Sequence, residues 1–205
     1  MIKNFKSFCS TLKPLLSSNK EALEELEKIE NNFAKVMQEK MENMWAKKLG
    51  IDKFNVELFE ELINLMIETK VDYTIFFREL SNIPDDISSI EKSFYGSLKN
   101  EIIIERWNSW LEKWKSLINV NDEESKEKLS NQMKLTNPKY TLREWHLVWA
   151  YQEAEDGNYA QVHQLQEIMT NPYNEQTKEI EERYYIKKPS DFFGIAGISH
   201  VSCSS

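Results

Sequence analysis

The chain has 205 residues, of which 40% are apolar, so it can bury one sizeable core. Its 34 acidic and 26 basic residues leave a formal charge of −8, which argues against affinity built on neutralising nucleic-acid phosphates. Only five Gly and five Pro are present, too few for a turn-rich β protein or for glycine-rich dinucleotide loops, and no apolar run approaches the roughly 20 residues needed to span a bilayer. Nucleic acid and membrane are therefore not expected partners. The start, Met1 to Phe5, lacks the apolar stretch and cleavage site of a secretory signal. Cys9 and Cys203 alone cannot make a disulfide framework or a four-cysteine zinc site.

Phe5, Phe8, Cys9, Leu12 and Leu15 recur at helical spacing and predict a first amphipathic helix ending near Pro14 and the Ser17-Ser18-Asn19 turn, with Cys9 on its apolar face. Leu23, Leu26, Phe33, Met37, Met44 and Trp45 predict a long helix over Lys20 to Leu49, closed by Gly50; Glu24, Glu25 and Glu27 near its start favour the helix dipole and read as a solvated face. Asn55 is positioned to cap a third helix with the stripe Val56, Phe59, Leu62, Ile63 and Met66, and Asp72 a short fourth one through Phe76, Phe77 and Leu80. Ile83-Pro84-Asp85-Asp86 breaks the chain.

Between Ile87 and Ile118 the residues Ile103, Trp107, Trp110, Leu111, Trp114, Leu117 and Ile118 fall on one helical face, where three tryptophans read as core. Asn121-Asp122 starts a charged helix to about Lys134, and Asn137-Pro138 is a turn. Thr141-Leu142-Arg143-Glu144 has the spacing of a capping box opening a helix closed by Asp156-Gly157. Tyr159 to Met169 forms a further short helix stopped by Asn171-Pro172, and a polar segment from Asn174 leads to Lys187-Lys188-Pro189. The residues after Pro189 read as a tail. No strand-like alternation is long enough for a sheet, so the expected fold class is all-α, in one helical region over 1–188 followed by a coil tail over 189–205.

Motifs for chemistry are scarce. No carboxylate stands three residues before His146, His163 or His200, so neither a Glu-x-x-His pair nor a His-Glu-x-x-His zinc motif is present, and His163 with Glu167 makes at most a surface pair. There is no Gly-x-Gly for phosphates. Asp191-Phe192-Phe193-Gly194 has one Phe too many for the kinase magnesium motif, and His200 lies near Cys203 in a tail unsuited to holding a nucleophile and its base. Cys203 itself, three positions from one end of the sequence in a polar segment, reads as an exposed thiol. Cys9 is a poor disulfide partner for it.

Several blocks nevertheless resemble a known family in the same order. Met44-Trp45-Ala46-Lys47-Lys48-Leu49-Gly50, Asp72 to Leu80, Asn137-Pro138-Lys139-Tyr140-Thr141-Leu142-Arg143, Glu153 to Tyr159, Asn171-Pro172-Tyr173-Asn174-Glu175-Gln176 and Val201-Ser202-Cys203-Ser204-Ser205 resemble the C-terminal region of the selenoprotein O family, also called YdiU, the kinase-like protein adenylyltransferases. The family pattern has Asn where this chain has Glu144, and a Trp where it has Phe192 or Phe193.

The resemblance implies an irregular multi-helix array like the C-terminal helical part of a kinase-like C-lobe. It implies a redox role for Cys203, although Cys9 lies outside the segment where the family would place a partner cysteine. Full-length members transfer AMP from ATP to hydroxyl groups of protein substrates with magnesium, through motifs upstream of the block that resembles Met1 to Leu16. No catalytic, nucleotide-binding or metal-ligating residue is carried over to this chain, ATP and Mg being cofactors of the full-length family only. The expected partner is an N-terminal kinase-like portion of the same protein, and the expected compartment is mitochondrial for a eukaryotic source or cytoplasmic for a bacterial one. The alternatives are a stand-alone helical interaction module with an exposed face around Trp107, Trp110 and Trp114, and a thiol protein responsive through Cys203.

Overall fold

The computed structural model describes residues 1–194, which are built from helices and turns; the only strand-like pairing among them is a single antiparallel bridge between Val71 and Phe94. The all-α expectation holds. The chain divides into two compact units, residues 1–46 and residues 47 onward, with the boundary inside the second helix. No described helix is long and apolar enough to cross a membrane.

In the first unit α1, Ile2–Leu12, is followed by a short 3-10 turn over Lys13–Leu16 and then by the beginning of α2, Lys20–Leu49. The predicted long helix is therefore found with its predicted bounds. The Asn19 side chain accepts from the Ala22 N–H and caps the start of α2. Phe5 of α1 stacks on Phe33 of α2 with centroids 3.8 Å apart, while Cys9 and Leu26 are buried. Phe8 and Leu15, expected on the apolar face, are exposed instead. Only one side of so short a helix is covered.

The second unit opens at the end of α2, where Gly50 takes the left-handed φ of +66° that ends the helix. A Cβ there would lie 2.6 Å from Met133 Sδ, so the close approach also requires glycine. Asn55 caps α3, Val56–Thr69, and Asp72 caps α4, Tyr73–Leu80, each through its side chain as predicted. The buried stripe of α3 is rotated from the expected one. It consists of Leu58, Leu62, Leu65 and Met66, and leaves Val56 exposed. The rotation follows α5, Glu101–Lys115, whose Trp110 Nε1 donates to the Leu58 carbonyl at 2.9 Å and draws that side of α3 inward.

Trp107, Trp110 and Trp114 are fully buried along α5. Trp114 Nε1 donates to the Leu49 carbonyl at 2.7 Å, the Trp110 and Trp114 rings are parallel at 6.2 Å, and Trp107 meets Phe94 edge-on and Phe76 at a tilt. These rings are core, as their spacing predicts, and the alternative in which they form the exposed face of an interaction module is overturned. Each finds more apolar contact inside the unit than a surface position offers. Leu117, placed on the same stripe, lies beyond the end of α5 and is partly exposed.

Asp122 and Ser125 form a reciprocal capping box at α6, Glu123–Lys134. The next helix corrects another expectation. α7 spans Glu144–Glu155 with Arg143 at its N-cap and no side-chain cap, so Thr141 and Glu144 do not make a capping box. The Lys139 and Tyr140 N–H groups both donate to the Pro172 carbonyl, and the Arg143 guanidinium is tied to Asp72, so helical geometry starts only after Arg143. Gly157 at φ +82° follows α7, α8 covers Ala160–Thr170, and the polar segment after Asn174 contains a further helix, α9, over Lys178–Tyr184, capped by Thr177. Tyr184 and Tyr185 at its end join a core with Ile75, Tyr140, Ala150, Leu165 and Ile168.

Candidate functional site

Four of the blocks that carry the family resemblance, through Lys48, Asp72 to Leu80, Asn137 to Arg143 and Asn171 to Gln176, meet around α4. At its N-terminus the buried Asp72 carboxylate does three things. It accepts from the Ile75 N–H at 3.1 Å, from the Tyr95 hydroxyl at 3.1 Å, and from both Arg143 Nη atoms at 2.6 and 2.8 Å. Arg143 also lies over the Trp145 ring. The backbone on either side of Asp72 is pinned: the Asp72 N–H donates to the Ser93 carbonyl and the Tyr95 N–H to the Lys70 carbonyl.

At the other end of α4, Arg78 is buried within the apolar run Ile75-Phe76-Phe77-Arg78-Glu79-Leu80. Its guanidinium donates to the carbonyls of Lys134, Asn137 and Tyr173 at 3.0, 3.1 and 3.1 Å and to the Glu175 carboxylate. Lys139, also buried, completes the pairing with Glu175 at 2.7 Å and Glu181 at 3.0 Å. Burial pulls the Lys139 ammonium down, but the hydrogen bonds it donates to Glu175 and Glu181 prevail and hold its pKa above the ordinary value. Burial opposes ionisation of Glu175 too, yet the bonds from Lys139 and Arg78 hold its carboxyl below the usual range. Asn137 sits between these groups and α2, its amide donating to the Lys48 carbonyl at 2.9 Å and to Ser81 Oγ at 3.1 Å. On the adjoining face the Tyr185 hydroxyl donates to Glu79 at 2.7 Å; burial first, then the Glu79 charge, pushes its ionisation far up.

These polar groups hold α2, α4, α7 and the 171–176 turn in register, and the ions at the centre are already paired. The array is a clamp, with no free nucleophile or base. His146, in the first turn of α7, is buried against Trp145, Trp149 and Tyr184 with neither ring nitrogen hydrogen-bonded. Burial, then the charges of Arg143 and Arg183, lowers its pKa to about 4, so it is a neutral core residue near pH 7. His163 and Glu167 are both exposed on α8.

Among the described residues no group of three His, Cys, Asp or Glu could hold a metal ion. A cavity of about 450 Å³ lined by Trp149, Gln161 and Arg183 also carries the Glu153 and Glu182 carboxylates, an environment that repels a polyphosphate. Cys9 is a free, buried thiol, and Cys203 lies outside the described residues.

The clamp was only partly visible in sequence. Asp72 reads as a cap from its position, but its partners Arg143 and Tyr95, and the Arg78–Glu175–Lys139 array, carry no such local signal. A charged residue inside the apolar run at Arg78 is the signal that points to a buried pair.

Residues 1–170 match the family model described as protein adenylyltransferase SelO. Among curated relatives, a protein nucleotidyltransferase YdiU of Aromatoleum aromaticum is 33% identical over 179 residues, covering 84% of this chain and 34% of the relative. Its counterpart in Vibrio parahaemolyticus is 30% identical over 210 aligned positions, 98% of this chain and 40% of the relative. That in Xanthomonas campestris is 32% identical over 166, with 78% and 32% covered. This chain thus spans between about a third and two fifths of the length of these relatives.

Proposed function

We propose that this chain, which belongs to the SelO family of protein adenylyltransferases, serves as the C-terminal helical part of such an enzyme and supports a kinase-like catalytic portion. The observation that carries this reading is that four of the resembling blocks, through Lys48, Asp72 and Arg78, Asn137 to Arg143, and Glu175, meet in one clamp around α4 whose ionic groups are satisfied by one another. Such an arrangement fixes shape. It offers nothing with which to bind ATP or move a proton.

In the complete assembly, AMP transfer from ATP to hydroxyl groups of protein substrates would rest on a nucleotide and metal site in the N-terminal portion, this chain being its scaffold and the carrier of Cys203. Oxidation of the Cys203 thiol would then restrain that site. The domain reading is one helical region over 1–188 with a tail over 189–205, working with the N-terminal portion as partner. A cytoplasmic setting, as for a bacterial member, fits this role.

Incubating the purified chain with Mg·ATP labelled in the α-phosphate and a protein acceptor tests the proposal. No label should reach either protein. Acceptor labelling that depends on this chain would overturn it.

A further inference from the structure

The first unit has little core of its own: within residues 1–46 the buried apolar side chains are Cys9, Leu26 and Ala46. α1 covers one side of α2, where Phe5 stacks on Phe33. The adjoining side of α2 is open. There Ile29 and Val36 are 50% and 39% exposed, and with Asn32 and Phe33 they line a shallow groove of about 270 Å³. Steps of three and four residues along the helix keep one face, and on this face the order is Glu25, Ile29, Phe33, Val36 and Lys40. An acid stands at its N-terminal end, apolar groups lie between, and a base stands at its C-terminal end. Glu25 meets the exposed Lys28 at 3.6 Å, and Lys40 forms no ion pair among the described residues.

We propose that this face is a self-pairing surface, on which a second copy of this chain lays its own α2 antiparallel to the first. The charge order selects the occupant. An antiparallel copy centred between Asn32 and Phe33 sets Glu25 against Lys40 at both ends and Ile29 against Val36 on either side of the two-fold axis. A parallel copy would set Glu25 against Glu25 and Lys40 against Lys40, which repels.

Pairing removes from water an apolar stripe that otherwise stays exposed, and the groove beside Phe33 receives the Ile29 and Val36 side chains of the second copy. The contact runs over about four helical turns, so the interface is small and the dimer dissociates on dilution. It lies wholly within the first unit and uses none of the ions of the clamp around α4.

Sedimentation equilibrium of the intact chain at about 100 µM tests the pairing. The expected mass approaches twice the 24.3 kDa of one chain. Glu25→Lys alone, or Lys40→Glu alone, puts like charges opposite each other at both ends and should weaken association about 10-fold. The double variant restores opposite signs and should return to within about 3-fold of the parent. Both side chains are exposed, and unchanged helical circular dichroism checks that each variant folds. Association is read without nucleotide, so its outcome is separate from that of the AMP-transfer test. A mass of one chain at this concentration would overturn the proposal, and is the result expected if the face seats the N-terminal portion instead. A dimer that neither single reversal weakens, or that the double reversal fails to restore, would overturn it as well.

Discussion

Asp72 and Arg143 stand 71 residues apart in sequence and meet in a two-pronged ion pair of 2.6 and 2.8 Å, the same carboxylate that caps α4. The carboxylate is buried and the guanidinium nearly so. Removing one partner therefore leaves a desolvated charge, a larger loss than the net strength of the pair itself. Arg143→Ala is expected to destabilise the second unit by about 3 kcal/mol in urea unfolding, and Asp72→Asn by a similar amount. A double-mutant cycle should show strong coupling between them; additive effects would mean the two side chains act independently.

Glu175 is exposed, but both cations it serves are buried, so its loss is felt at Arg78 and Lys139. Glu175→Ala should cost about 2–3 kcal/mol, well above the usual effect of a surface substitution. Glu181 remains to hold Lys139, which makes Arg78 the residue left short of a partner. Thermal unfolding indistinguishable from the parent would remove Glu175 from the clamp.

His146 supplies a pH dependence with a definite sign. Its pKa is about 4 in the folded chain, against about 6.5 when unfolded. Below pH 6.5 the unfolded state binds a proton that the folded state refuses, so stability falls as the pH drops from about 6.5 to about 4. His146→Phe deletes this term while keeping an aromatic ring among Trp145, Trp149 and Tyr184. The variant should gain on the parent by roughly 3 kcal/mol between pH 7.5 and pH 4. Parallel stability profiles for the two proteins would show that His146 titrates normally.

Gly50 answers two demands at once, a left-handed φ and close approach to Met133. Gly50→Ala should therefore destabilise by about 1–2 kcal/mol or more, and pairing it with Met133→Ala should recover only the steric part.

The elements with local signals were legible from sequence. Asn55, Asp72 and Asp122 cap helices where their side chains predicted it, and the α5 tryptophans are core at the spacing that marked them. What local pattern could not show was set by distant partners. Thr141 to Glu144 has the residues of a capping box, but Asp72 and Pro172 hold that segment out of the helix. The rotation of α3 likewise depends on where Trp110 finds its acceptor. The candidate site was legible through its ordered sequence blocks, whereas the pairing of Arg78 with Glu175 spans 97 residues and leaves no periodic trace.

Titration of the purified chain with Mg·ATP in a calorimeter is the most direct test of the proposal that it acts as a scaffold without a nucleotide site. The account predicts no saturable heat at nucleotide concentrations that fill full-length family members. Saturable binding of one ATP per chain would contradict it.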